Sequence, residues 1–151
     1  MRTITPFTTL VLMILVGTAS AQEGAGGAAL PRTASPAGTE VYFVSPENGA
    51  QSTSPVTIRF GLRGMGVAPA GVTAPNTGHH HLLVDIAELP PDNLPMPATE
   101  QIRHFGLGQT EVSLALAPGQ HTLQLVLGDA LHIPHDPPVR SEKITITVVA
   151  E

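Results

Sequence analysis

The chain has 151 residues, 42% apolar, 13% charged and 3% aromatic, a length that suits one ordinary domain or two very small ones. Its 15 glycines and 15 prolines exclude a helix bundle, since both residue types break helix interiors. A formal charge of -5, from 7 Lys+Arg against 12 Asp+Glu, leaves no basic surface for nucleic acid or anionic lipid, and the absence of cysteine excludes disulfides, thiolate metal sites and cysteine nucleophiles.

The N-terminus opens with Arg2, runs through an apolar core from Phe7 to Val16 and reaches the small triplet Ala19-Ser20-Ala21, the layout of a secretory signal peptide over residues 1–21. The run Leu10–Val16 is far shorter than the roughly 20 residues a bilayer span needs, so cleavage after Ala21 is expected, with no membrane insertion afterwards. Cleavage removes Arg2 and no acid, leaving 6 basic and 12 acidic side chains and a charge of -6, for a periplasmic or secreted product. Residues 22–38 are rich in Gly, Ala, Pro and Ser, and are read as a flexible tether. Gly24 to Ala29 formally matches a dinucleotide fingerprint, but no strand precedes it.

From residue 39 to 151 the apolar residues fall in short runs separated by turn residues. Val41–Val44 ends at Ser45-Pro46-Glu47-Asn48-Gly49, and Val56–Phe60 alternates before a glycine cluster. His80 to Ile86 forms the next strand. Val112–Leu116 leads through Ala117-Pro118-Gly119 into His121–Leu127, a predicted hairpin, and Lys143–Val149 closes the chain with Ile144, Ile146 and Val148 on one face. This pattern predicts a single all-β domain, an antiparallel β-sandwich of immunoglobulin-like type, with at most one helical turn near Thr99–His104. Two long connections, Gly61–Gly78 and Glu88–Thr110, interrupt the spacing and are expected to carry function.

All seven histidines lie beyond residue 78. Because alternate side chains of a strand share a face, His80, Leu82, Val84 and Ile86 point one way, into the core, and His79, His81, Leu83 and Asp85 the other. Two imidazoles two residues apart converge readily on one ion, but two ligands leave a divalent ion short of the usual four. The loop Asp129–Pro138 carries His132 and His135, stiffened by Pro134, Pro137 and Pro138, and is expected to lie against the His79/His81 strand end and complete the site. His104, beside Phe105 in the second long loop, is a further candidate, while His121 shares a face with Leu123, Leu125 and Leu127 and reads as a buried, hydrogen-bonded side chain. Imidazole suits copper and zinc and thioether favours Cu(I), so Met65 and Met96, one in each long loop, admit a His/Met copper site or else fill gaps beneath the loops. The candidate ligands are therefore His79, His81, His104, His132, His135 and Met65, for a copper or zinc ion.

Several stretches resemble a bacterial family of secreted domains catalogued as domain of unknown function 4399. They are Val41-Tyr42-Phe43 with Pro46 and Asn48-Gly49, Gly64-Met65-Gly66-Val67, Gly78-His79-His80-His81-Leu82-Leu83-Val84-Asp85, His104-Phe105-Gly106, Pro118-Gly119-Gln120-His121, and His132-Ile133-Pro134-His135. The resemblance spans roughly residues 40–149 and implies a secreted, compact β domain. It implies no activity.

The residues favour a non-catalytic, periplasmic metal-binding protein whose partners are the ion and another periplasmic protein. The alternatives are a redox metalloenzyme and an immunoglobulin-like module that binds a partner or ligand without metal. Neither a Gly-X-Ser-X-Gly elbow nor a His-Glu-X-X-His pair supports a hydrolase, and one Tyr and no Trp make a poor platform for glycans.

Overall fold

Apolar residues at alternate positions give a strand one buried and one exposed face, and Val56, Ile58 and Phe60 against Thr57 and Arg59 do so here. The computed structural model describes residues 30–150; the expected signal peptide and the start of the segment read as a tether lie outside them. Nine strands follow in order: β1 (Glu40–Ser45), β2 (Gln51–Thr53), β3 (Val56–Arg63), β4 (Gly66–Val67), β5 (Thr77–Val84), β6 (Ile102–His104), β7 (Glu111–Leu114), β8 (Gly119–Gly128) and β9 (Ile144–Val149). The described residues contain no helix.

The strands form a three-stranded sheet, β1-β3-β7, and a six-stranded sheet, β2-β9-β8-β5-β4, with β6 also paired to β5. Both sheets contribute to one core: Val41, Val56, Ile58 and Phe60 from the smaller, and Leu82, Val84, Leu123, Leu125, Leu127, Ile144, Ile146 and Val148 from the larger. The fold is all-β, but the expectation of purely antiparallel sheets needs correction. β2 runs parallel to β9, and β4 parallel to β5.

One local expectation also fails. The β7–β8 hairpin does not form: β7 pairs with β3 in one sheet, while β8 pairs with β5 and β9 in the other, so Ala117-Pro118-Gly119 carries the chain across the core. Each strand gains a partner with its own apolar stripe, which adjacency in sequence does not reveal. Thr99–His104 forms no helical turn. The Thr99 hydroxyl accepts the Ile102 amide, and Ile102–His104 extend as β6, with His104 opposite His81 and Ile102 opposite Leu83.

β5 is buried on both faces from Gly78 to Val84. His80, Leu82 and Val84 face the main core, whereas Leu83 joins Met96, Ile102 and Val126 in a second apolar cluster on the opposite face. The long connection after β5 thus covers the outer side of the sheet, and the odd-numbered histidines of β5 are trapped beneath it.

The end of the segment read as a tether is docked, not loose. Arg32 donates to the carbonyls of Pro134 and His135 and pairs with Asp136. The Thr33 hydroxyl donates to Asp129 (2.8 Å), and Ala34 bridges Asp136. Gly, Ala and Pro offered little apolar area to order this stretch, but its backbone and the Arg32 and Thr33 side chains supply hydrogen bonds instead.

His121 is clasped by Asp85 (2.7 Å) and the Ala117 carbonyl (2.8 Å), one at each ring nitrogen. Both nitrogens then donate, and the Asp85 hydrogen bond raises its pKa above 6.5. It sits apart from the other histidines, as a clasp between the end of β5 and β8.

Candidate metal centre

Three backbone features bring four imidazoles together. The two-residue period of β5 places His79 and His81 side by side, ring centroids 4.7 Å apart. The pairing of β6 with β5 sets His104 opposite His81, with its ring 5.2 Å from that of His81 and 5.0 Å from that of His79. The Asp129–His132 turn brings in His132, 4.6 Å from His104 and 5.0 Å from His79. One nitrogen from each of these four rings lies within 4.8 Å of all the others.

His132 needs the most local help. Its φ of 66° is in the left-handed region, which β-carbon sterics disfavour. Asp129, 4% exposed, holds the turn closed: Oδ1 accepts the Leu131 and Ile133 amides (2.9 and 3.0 Å), and Oδ2 accepts the Thr33 hydroxyl. Ile133, fully buried, pins the far side, and the His132 carbonyl accepts the Met96 amide (2.9 Å). The position of the His132 ring is thus set by a buried carboxylate that makes no hydrogen bond to any of the four rings.

Two glycines make room for the rings. A β-carbon on Gly106 would fall 2.2 Å from Cε1 and 2.5 Å from Nε2 of His104, and one on Gly128 would fall 2.6 Å from Cε1 of His81. Neither glycine has a positive φ, so it is space that excludes a side chain here.

Burial and mutual repulsion favour the neutral form of His79, His81 and His104. Burial, with His104 and His132 adding like-charge repulsion, pushes His79 down to about 4, while the Asp129 carboxylate pulls the other way. His81 is pushed down to about 2, by burial first and then by His79, His104 and His132. His104 is also lowered, by desolvation and by His132. Neutral imidazoles offer a lone pair each, the form a metal needs.

The polar accounting is incomplete without a further partner. His79 Nε2 and His132 Nδ1 are 3.1 Å apart, but neither ring nitrogen of His81 has a hydrogen-bond partner although both are buried. An orphaned buried polar atom costs about 1–3 kcal/mol. Tetrahedral coordination at about 2.0–2.1 Å sets ligand nitrogens about 3.3 Å apart, close to the 3.1 Å already present between His79 and His132.

Two predicted ligands are elsewhere. His135, fully buried, turns its nitrogens to the Leu127 and Thr77 carbonyls (3.4 and 3.3 Å) and fills the space over Gly78. Met65 packs against the main core. The other loop methionine is the nearer one: Met96 Cε and the His81 ring both border the space over Gly128. His80, fully buried, packs on Phe60 at 5.3 Å between ring centroids, and burial pushes it down to about 4. Its nitrogens also lack hydrogen bonds, on the face away from the cluster.

Missing from the sequence reading were Asp129 and the two spacer glycines. The signal available for Asp129 was its place three residues before His132, where Asp side chains commonly close turns. No curated protein and no solved structure matches the chain. A family model described as Domain of unknown function (DUF4399) matches residues 58–149, a span that contains all four converging histidines, and the chain belongs to that family.

Proposed function

We propose that this domain is an exported, non-catalytic metal-binding protein that holds one zinc or copper(II) ion between His79, His81, His104 and His132. The observation that carries the reading is His81: a buried imidazole with no hydrogen-bond partner, beside three other imidazoles. An ion there would take up a lone pair that is otherwise unsatisfied. Four nitrogens without thiolate or thioether suit a divalent zinc or copper ion and not Cu(I). Export and a periplasmic location rest on the signal-type N-terminus alone. We read the two sheets around one core as a β-sandwich of immunoglobulin-like type.

Equilibrium titration of the untagged protein with zinc and copper(II) tests this. One ion per chain is expected, with affinity retained in His135→Ala and Met65→Leu. Failure of the wild-type protein to bind either ion would remove the proposal. The spacer glycine provides a second check: Gly106→Ala should displace the His104 ring and lower affinity while leaving the far-UV circular dichroism unchanged. Unaltered affinity in Gly106→Ala would show that the His104 position is irrelevant.

A cleft of about 430 Å³ favours a second reading, a ligand-binding module. It lies between the edge strand β1 and the segment Arg140–Ile144, with Tyr42, Phe43, Glu47 and Glu142 on its walls. It contains no histidine, so ligand binding there would leave the metal titration unaffected.

A further inference from the structure

The four ligands are unequal in access, and the inequality bears on how an ion would enter and leave. His79 and His81 are each 1% exposed, His132 is half-buried and pinned by the Asp129 turn, and His104 is exposed. His104 ends a strand of only three residues that, among the described residues, pairs with β5 alone. Its ring lies over Gly106, a residue without a side chain to hold it in place, and the chain then turns away through Gly108 at φ 82°. Among the described residues its ring makes no hydrogen bond, and its ring neighbours are the imidazoles of His79, His81 and His132.

Resting on the metal reading above, we propose that His104 is the exchangeable ligand. The ion is loaded and released by swapping His104 for an incoming imidazole-type nitrogen donor. In the step one metal–nitrogen bond to His104 breaks and one metal–nitrogen bond to the incoming donor forms. The metal keeps its oxidation state, and the departing imidazole leaves neutral. His79, His81 and His132 hold the ion during this first exchange, and release follows as further donor atoms replace their three metal–nitrogen bonds one for one, which makes the ion a cargo presented at one open edge and not a structural clamp. The acceptor is recognised by its donor chemistry, whether a histidine of another protein or a small chelate.

Cobalt(II) and free imidazole are the probes. Wild-type protein loaded with cobalt should show the visible bands of a tetrahedral nitrogen site. His104→Ala should bind cobalt roughly 10–100-fold more weakly, a loss at least as large as disturbing an outer partner of a ligand. It should also release the ion to a chromophoric chelator faster, and regain the wild-type bands when millimolar imidazole is added. In His81→Ala the missing ring is enclosed, so imidazole should restore nothing; His81→Gln, which fills more of the space, guards against a folding defect. Rescue of His81→Ala or His81→Gln as complete as that of His104→Ala would overturn the proposal. So would a release rate that His104→Ala leaves unchanged. Cobalt bands in the wild type combined with either result defeat the exchange mechanism alone, whereas absence of bands in the wild type defeats the metal reading and this one with it.

Discussion

Replacing His79 and His81 together by alanine is expected to reduce zinc and copper(II) affinity at least about 1,000-fold while the protein remains folded. Each is a direct ligand, and even partners one shell further out cost 10–100-fold when lost. Both point away from the main core, and both pay a desolvation cost in the metal-free protein that a smaller side chain would not. The apolar cluster of Leu83, Met96, Ile102 and Val126 beside them is untouched by the change. Titration monitored by isothermal calorimetry measures the affinity, and thermal unfolding checks the fold. Affinity within tenfold of wild type in a folded double variant would refute the assignment of β5 as the centre of the site.

Acid is expected to unfold the metal-free protein between pH 6.5 and about 4. His79 and His80 are pushed down to about 4 and His81 to about 2, from 6.5 in the unfolded chain. As pH falls below 6.5 the unfolded chain takes up protons that these rings refuse, so stability is complete above 6.5 and is lost on the way down. At pH 4 each refusal costs about 3 kcal/mol. Three such rings together rival the roughly 5–15 kcal/mol that holds an ordinary domain. His121 works in the opposite sense: its raised pKa adds stability below 6.5 that fades as pH rises through the folded value. It is one ring near the surface and does not offset three buried ones. Far-UV circular dichroism against pH gives the midpoint, and His80→Leu, which removes one of the three without touching the candidate ligands, should lower it. A protein still folded at pH 4 would contradict this.

The strand period made the β5 part of the site legible, because the alternation of β-strand side chains is local and the triple histidine occupies consecutive positions. It separated His79 and His81 from His80, and the need for further donors pointed to the Asp129–Pro138 loop, of which His132 alone joins the cluster. What it missed depends on contacts distant in sequence. His132 and His135 looked equivalent in a proline-stiffened loop, yet the Asp129 turn aims the first at the cluster, and the Leu127 and Thr77 carbonyls capture the second. His104 fell within a long connection allowed at most a helical turn, and its place in the cluster follows only from the register that sets it opposite His81. Similarly, the predicted β7–β8 hairpin failed because neighbours in the chain found their partners in different sheets.

Anomalous diffraction from crystals of the zinc-loaded protein is the most direct test of the four-histidine centre. The account predicts a single peak about 2.0–2.1 Å from one nitrogen each of His79, His81, His104 and His132, with His135 still on its carbonyl partners. A peak placed on His135 or His121, or no peak among the four rings at saturating zinc, would contradict it.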